Sequence, residues 1–444
     1  MEQETGNMKH ETIGFCRTSN VVYERSTFHV TRFRPSCARY ILCYTCEQLS
    51  VSLRTTPYSL HAPMVHPNFK YLRAIGTLIG ATIGAGVFGL PYTFAQSGPA
   101  VGAAWLLGLG AVMLILYLMF AEIVLHTPGT HRIGGYVGAQ LGRRWGMFAS
   151  VMMFLTLLGI MTAHIILGGE FLFTLFHPFF GGSQIAYSLL MVVIAGAITW
   201  RGTQATVRIE GIVVGILLFM FLFATLASLP HIVPANLTLV HVDGIFLPYG
   251  VVLFSLFGLG AVPEMSDVLG TQKRRLPHVI TTALFIVVML YLAFCLCVVG
   301  VTGLATTSSA FTGLSAALGG SFAVVSSLLG SITLLSIFSM SSLQMQNLLC
   351  YDVHLSRRVS WLVASCAALI LFLLGVRQFI TLIGFVGSVF AACVAGVVVL
   401  AYERMRRSPT CLEQRCLNVP AFVSGGILLL LGAGIVAEFI KLLW

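Results

Sequence analysis

The sequence predicts an all-α, polytopic membrane protein with about eleven transmembrane helices. Of its 444 residues, 57% are hydrophobic and only 9% are charged, whereas a soluble globular chain is about 25% charged. Apolar runs long enough to cross a bilayer follow one another from residue 72 onward. Lys and Arg accumulate on one side of these runs, as they do in cytoplasmic loops. The net charge of +10 therefore reflects membrane topology, and we predict no nucleic-acid partner.

The apolar runs and the charges between them define a topology. With the N-terminus inside, sixteen Lys and Arg residues from residue 68 onward fall on the inner side, and only Arg377 and Lys441 fall on the outer side. A missed or added span would scramble this alternation, so the asymmetry supports eleven spans and an exterior C-terminus. A glycine-rich stretch, 129–146, predicts a short interfacial helix. The predicted helices one to eleven cover 72–97, 100–125, 147–176, 185–200, 206–229, 245–269, 278–304, 321–349, 359–375, 379–402 and 420–441.

Residues 1–67 differ from the rest of the chain in composition. They are polar, and they contain neither a run long enough to span a bilayer nor the pattern of a signal peptide. We therefore predict a disordered cytoplasmic tail before a transmembrane domain at 68–444. Met64, just before the first helix, is an alternative start. Cys43 and Cys46 form a lone CxxC, a weak indication of zinc or redox chemistry, so we predict no metal site.

Helix one carries an unusual concentration of glycine and proline. Residues 76–99 read GTLIGATIGAGVFGLPYTFAQSGP, although glycine costs about 1 kcal/mol at an interior helix position and Pro91 removes an N–H donor. A broken helix survives in lipid only where it lines a cavity or is buried in protein. We therefore predict a discontinuous helix that breaks at the Gly-Ala-Gly sequence 84–86. The alternative is a packing face, because glycines recur at every fourth position over 76–84.

Helix six carries a matching interruption. Gly258 and Gly260 lie near its middle, and Pro263 lies just beyond them. Paired interruptions in corresponding helices point to an inverted-repeat transporter whose substrate binds at the breaks, near the midplane of the bilayer. Helices 1–5 and 6–10 form the two predicted repeats, and helix eleven is an addition.

The residues of both breaks resemble those of a known superfamily. IGATIGAGVFGLPYTFAQSGP, residues 79–99, resembles the first helix of the amino acid/polyamine/organocation (APC) transporter superfamily. It looks most like the bacterial amino acid permease branch related to the aromatic/hydroxy amino acid permeases and the amino acid/auxin permeases. FGLGAVPEM, residues 257–265, is similar to the sixth-helix break of that superfamily. The resemblance implies a LeuT-type 5+5 inverted repeat. It also implies secondary active transport of amino acids across the plasma (inner) membrane, coupled to H+ or Na+.

For an amino acid substrate, the two breaks supply complementary groups. N–H groups at the start of the outer half of helix one, where the helix dipole is positive, suit the carboxylate. Carbonyl groups at the end of the first half of helix six suit the ammonium, and the resemblance supports both assignments. Plain core packing is the alternative for the phenylalanines. The candidate substrate-binding residues are Thr82, Ile83, Gly84, Ala85, Gly86, Val87, Phe254, Ser255, Phe257 and Gly258.

Polar residues within the apolar runs are the candidates for ion coupling and gating. Ionisable side chains there are functional hypotheses by default, with structural ion pairing as the alternative. His164 is explained equally well as a packing histidine or as a proton carrier. Hydroxyls of helix eight resemble those that face sodium in LeuT-type symporters, or else they make helix–helix hydrogen bonds. The candidates are Glu122, Glu264, Asp267, Ser339, Ser341 and Ser342.

Other functional classes fit the sequence less well. The chain holds no HExxH, GxGD or Walker motif and no repeated filter segment, which argues against a membrane enzyme, an ATP-driven pump and a channel. A non-transporting amino acid sensor on the same fold, or a transporter of another small amine or organic solute, is the alternative function. The expected partners are an amino acid and the lipid bilayer. The sequence leaves the particular amino acid, the coupling ion and the oligomeric state open.

Overall fold

The computed structural model describes residues 67–129, 131–200, 203–238, 244–408 and 417–443. Each of the eleven predicted spans is helical. The predicted tail lies outside the described residues up to residue 66, so its disorder stays a prediction. The helices are α1 Pro67–Thr82, α2 Gly86–Ser97, α3 Pro99–His126, α4 Ile133–Leu141, α5 Arg143–Phe180, α6 Gln184–Trp200, α7 Thr203–Ser228, α8 Leu247–Ser255, α9 Ala261–Leu269, α10 Leu276–Thr302, α11 Ala310–Leu318, α12 Gly320–Tyr351, α13 Arg357–Leu373, α14 Phe379–Phe385, α15 Ala392–Met405 and α16 Ala421–Leu443.

The helices are those of a multi-pass membrane protein. By length and apolar composition, seven helical stretches of the described chain can cross a membrane, or eight if the bent pair α1–α2 is one span. One of the seven, Ala261–Ala305, joins the second half of the sixth span to the seventh. The other predicted spans are shorter: α6 and α13 have 17 residues each, the lower limit for a bilayer, and α8 has nine.

Both predicted discontinuities are present. In the first span, α1 ends at Thr82, α2 begins at Gly86, and the two axes differ by 59°. In the sixth span, α8 ends at Ser255 and α9 begins at Ala261. The intervening segments are rich in glycine, which lowers the cost of leaving the helix at that point.

Short helices between spans support the inverted repeat. The predicted interfacial helix at 129–146 is α4, between the second and third spans. A helix of equal length, α11, lies between the seventh and eighth spans, the corresponding place in the second repeat. The sequence analysis did not predict α11. Its position matches that of α4 because the two five-helix halves have the same layout.

The first half of the sixth span is held by close backbone contact. In the tenth span, α14 and α15 are joined by the π-helical turn Val386–Ala391, which packs against α8. A Cβ on Gly387 would lie 2.0 Å from the carbonyl oxygen of Gly250, and one on Gly250 would lie 2.3 Å from that of Gly384. Glycine at these positions lets the two backbones approach, which fixes α8 next to the first-span break.

Candidate functional site

The two breaks face one cavity. Its volume is about 850 Å³ with its open mouth included, and its walls come from α1, α2, the sixth-span break, α5, α7 and α12. Ile83, Val87 and Ser255 are buried outside this lining. The other predicted substrate-binding residues line the cavity: Thr82, Gly84, Ala85, Gly86, Phe254, Phe257 and Gly258.

The first break offers backbone donors. The N–H groups of Ile83 and Gly84 bond to the carbonyls of Ile79 and Thr82, at 2.8 and 3.0 Å. Within the described part of the chain, the next three N–H groups, those of residues 85–87, donate to no protein group. They lie at the positive end of the α2 dipole, so this edge of the cavity is chemically suited to an anion such as a carboxylate.

The carbonyl groups of the second break are partly engaged. The Phe254 carbonyl accepts the Phe257 N–H at 3.2 Å, and the Ser255 carbonyl accepts the Tyr291 hydroxyl at 3.1 Å. The Phe254 carbonyl also accepts the Leu256 N–H, whereas the Ser255 carbonyl oxygen keeps a second lone pair and retains some capacity for an ammonium group. The Phe257 carbonyl accepts no protein donor among the described residues. It is therefore the most available acceptor among the carbonyls of Phe254, Ser255 and Phe257.

Two buried tyrosines hold the breaks in place. The hydroxyl of Tyr291, on α10, lies 3.2 Å from the Thr82 carbonyl and so bridges the first break to the second. The hydroxyl of Tyr117, on α3, donates to the Leu256 carbonyl at 3.1 Å and accepts the Gly258 N–H at 2.5 Å. The sequence analysis missed both residues. The sequence feature that could have identified Tyr117 and Tyr291 is a tyrosine inside an apolar helix, because a buried phenol needs a hydrogen-bond partner.

The glycines of the first break have different neighbours. A Cβ on Gly86 would lie 2.9 Å from the Ser255 Cα, so Gly86 allows the close approach of α2 to α8. A Cβ on Gly84 would meet only the His164 ring, at 3.5 Å, and one on Gly76 would meet nothing within 4 Å. The alternative of a continuous packing face through Gly76 and Gly84 is therefore not supported, whereas close packing does occur at Gly86.

His164 of α5 lies against this break. The side chain is 0% exposed and lines the cavity. Its Nδ1 lies 2.5 Å from the Ile160 carbonyl oxygen, and its Nε2 has no hydrogen-bond partner in the described structure. Because a carbonyl only accepts, Nδ1 carries the proton, and Nε2 of the neutral ring is an unused acceptor.

The predicted carboxylates fall in three different places. Glu264 lines the cavity, and its carboxylate is 3.5 Å from the Arg132 guanidinium. Glu122 is outside the lining and lies 3.3 Å from the His126 ring on its own helix. Asp267 is exposed on α9, also outside the lining. The structure therefore brings only Glu264 of these three to the substrate cavity.

The hydroxyls of α12 are also divided. Ser341 lines the cavity, whereas Ser339 donates to the Leu335 carbonyl at 2.8 Å and Ser342 accepts from Gln346 at 3.4 Å. These last two bonds stay within α12. The cavity is also lined by Gln344, which the sequence analysis missed. The available signal was an isolated amide in an apolar helix close to Ser341.

A second cavity of about 380 Å³ adjoins the first. The two share Met153, Leu157, Gly260, Glu264 and Gln344 as lining residues. The second cavity extends to Arg132, which precedes α4 on the predicted inner side. The Arg132–Glu264 pair therefore lies between the candidate site and that side of the protein.

Beyond the first-span break lies a cluster of six packed phenylalanines, which we call the aromatic seal. Phe311 of α11 lies at its centre, with ring centroids 5.3 Å from Phe88 and 5.7 Å from Phe294. Every ring is at most 5% exposed. The topology places the seal on the predicted outer side. Its members are Phe88, Phe171, Phe221, Phe294, Phe311 and Phe322.

A carboxylate fastens α11 over the aromatic seal. Glu170, near the outer end of α5, accepts hydrogen bonds from the hydroxyls of Ser309 and Thr312, each at 2.6 Å. Hydrogen bonds to a carboxylate are roughly twice as strong as neutral ones. These bonds hold the start of α11 against α5 on the predicted outer side.

The sequence matches a described family over more than half of its length. The model of the tryptophan/tyrosine permease family matches residues 69–311. The chain is 27% identical over 199 residues to the tyrosine-specific transport system 1 of Haemophilus influenzae, an alignment that covers 44% of this chain and 49% of that protein. The chain therefore spans about half the length of this relative.

Solved structures show the same fold. A crystal structure of the Eremococcus coleocola manganese transporter, in complex with an aromatic bis-isothiourea substituted compound, matches with a TM-score of 0.62 and 14% identity, covering 88% of this chain and 90% of that one. MhsT in complex with L-phenylalanine matches with a TM-score of 0.61 and 15% identity, covering 84% and 98%. At these identities the likeness shows the fold alone, and it confirms the predicted LeuT-type architecture.

Proposed function

Since the chain belongs to the tryptophan/tyrosine permease family, we propose that it is a secondary active transporter of aromatic amino acids, with tyrosine or tryptophan as its substrate. The observation that carries the proposal is the cavity between the two breaks, where the N–H groups of Ala85 and Gly86 have no acceptor among the described residues. The tyrosine-specific relative from Haemophilus influenzae supports the substrate class.

The lining of the cavity suits such a substrate. The carboxylate accepts hydrogen bonds from the N-terminus of α2, and the ammonium donates to the carbonyl of Phe257. The aromatic ring lies among apolar side chains, with few polar groups to fix its orientation, as is usual for small-molecule sites. These apolar side chains are Met153, Leu157, Ile160, Val213, Val214, Phe254, Ile337 and Met340.

The two ends of the cavity act as alternating gates. In this proposal the aromatic seal is the outer gate, and the Arg132–Glu264 pair is the inner gate. The excess of Lys and Arg in the loops on the predicted inner side supports a cytoplasmic N-terminus in the plasma membrane. In this proposal a gradient of H+ or Na+ drives transport, as the resemblance of the two breaks to the amino acid/polyamine/organocation superfamily implies.

Counterflow in proteoliposomes tests the proposal. Vesicles that contain the full chain are loaded with unlabelled L-tyrosine and diluted into labelled tyrosine, tryptophan, phenylalanine or leucine. We expect labelled tyrosine or tryptophan to accumulate transiently above its equilibrium level, and leucine to remain at the level of protein-free vesicles. Binding of an aromatic amino acid without counterflow would favour the sensor. Neither binding nor counterflow with any aromatic amino acid would overturn the proposal.

A further inference from the structure

Among the described residues that line the substrate cavity, His164 is the one histidine. It lies in the middle of α5, and the position that a Cβ on Gly84 would occupy is 3.5 Å from its Nε2. The unpaired N–H groups of residues 85–87 begin directly after Gly84. Among the described residues, the buried Nε2 of His164 and the N–H groups of Ala85 and Gly86 have no protein partner, and all three lie at one edge of the cavity.

The hydrogen-bond pattern determines what His164 can bind. The Ile160 carbonyl, 2.5 Å from Nδ1, keeps the proton of the neutral ring on Nδ1. Nε2 then has a lone pair, and it repels an anion that approaches the same edge. After Nε2 takes up a proton, both ring nitrogens are donors, and Nε2 donates a charge-assisted hydrogen bond to that anion.

We propose that His164 binds the transported proton and the substrate carboxylate as a pair, so that uptake of one requires the other. This inference rests on the proposed function, and it assigns the coupling proton to Nε2 of His164. The proton comes from water and leaves to water with the substrate, while the carboxylate remains ionised throughout. The imidazolium and the carboxylate neutralise each other in the cavity, which avoids an uncompensated buried charge.

Other groups near the cavity define the competing explanations. Glu264 of α9 is the only carboxylate among its lining residues, and it pairs with Arg132. The phenols of Tyr117 and Tyr291 already contact the break carbonyls. The described residues of α7 that line the cavity are valines. Those of α12 carry hydroxyls, apolar side chains and the Gln344 amide. The α4, α6, α13, α14 and α15 helices also pack against α5, but they contribute no lining residue. Glu264 is therefore the main competitor for the proton.

Proton uptake on substrate binding is the direct test. The purified full chain is titrated with L-tyrosine and, in parallel, with L-tryptophan by calorimetry at pH 7.5, in phosphate and in Tris. The difference in measured heat between the two buffers gives the number of protons bound. We expect about one proton per bound amino acid in the wild type. Its Kd should rise by up to about tenfold per pH unit as pH increases, because binding and protonation are reciprocally linked.

Three variants locate the proton. His164→Gln keeps an N–H donor that does not titrate, so we expect it to bind substrate with no proton uptake and a Kd that is flat with pH. His177→Gln is the matched control, because His177 is exposed at the end of the same helix, where its ring contacts that of Phe173. It should behave like the wild type. Glu264→Gln should retain proton uptake.

The outcomes separate this inference from the proposed function. Wild-type protein that binds neither amino acid would overturn the transporter assignment. Wild-type binding without proton uptake, or full proton uptake by His164→Gln, would overturn the role of His164 alone. If His164→Gln does not purify in a folded state, Glu264→Gln decides between the two residues. Loss of proton uptake in Glu264→Gln would place the proton on Glu264 and refute the proposal.

Discussion

Phe311→Ala should open the aromatic seal. Phe311 is 2% exposed, and its ring packs against five others, those of Phe88, Phe171, Phe221, Phe294 and Phe322, with centroids 5.3–6.2 Å away. If α11 is part of the proposed outer gate, its movement away from the neighbouring helices breaks these contacts. Burial of one phenylalanine side chain is worth about 2–3 kcal/mol. At 1.36 kcal/mol per factor of ten, its loss raises the opening equilibrium of α11 about 30- to 150-fold.

Hydrogen–deuterium exchange of the purified protein measures this equilibrium. Amide exchange in Ala310–Leu318 should accelerate by that factor in Phe311→Ala, and exchange in α16 should not change, because α16 lies outside the seal. Phe422→Ala is the matched control. It makes the same chemical change at a side chain that is 80% exposed, so exchange in α11 should stay at the wild-type rate. If exchange in α11 rises no more in Phe311→Ala than in Phe422→Ala, the aromatic seal does not hold the outer side closed.

Further substitutions test the breaks and the topology. Gly84→Ala places a methyl group 3.5 Å from the His164 ring in the cavity. That distance is an ordinary van der Waals contact, so the free protein tolerates the methyl group, but the methyl group occupies space that the proposed substrate needs. Overpacking against a bound substrate costs about 1–3 kcal/mol, so tyrosine binding measured by calorimetry should weaken at least about fivefold. Gly76→Ala, with nothing within 4 Å, should stay within about twofold, and equal effects of the two changes would refute the placement of the substrate. Tyr291→Phe removes the hydroxyl that bridges the two breaks, and the lost hydrogen bond contributes about 1 kcal/mol. Tyrosine binding should therefore weaken about fivefold. Wild-type affinity in this variant would mean that the bridge does not position the site. A cysteine that replaces Arg274 should be labelled from the inner side, and a cysteine that replaces Asn236 should be labelled from the outer side. Labelling of both cysteines from one side would refute the eleven-span topology.

The positions of the helices and of both breaks were readable from the sequence. Hydrophobic length determines which segments are able to span a bilayer, and glycine with proline determines where such a helix is interrupted. Both are local properties, so the first-span break appeared within residues 82–86 and the second within residues 255–261, as expected. The same local pattern predicted most of the candidate substrate-binding residues that line the cavity, because these residues form the two breaks.

The contacts around the site were decided by the tertiary structure. The Tyr291 hydroxyl meets the Thr82 carbonyl across 209 positions of sequence, and the aromatic seal draws its six rings from six different helices. The position of His164 beside Gly84 and the contact of Gly86 with Ser255 likewise join distant segments. A membrane helix has apolar residues facing both lipid and protein, so it carries little amphipathic pattern to show which side faces inward. The rotation of each helix, and with it the choice of cavity-lining side chains, is set only when the helices pack together.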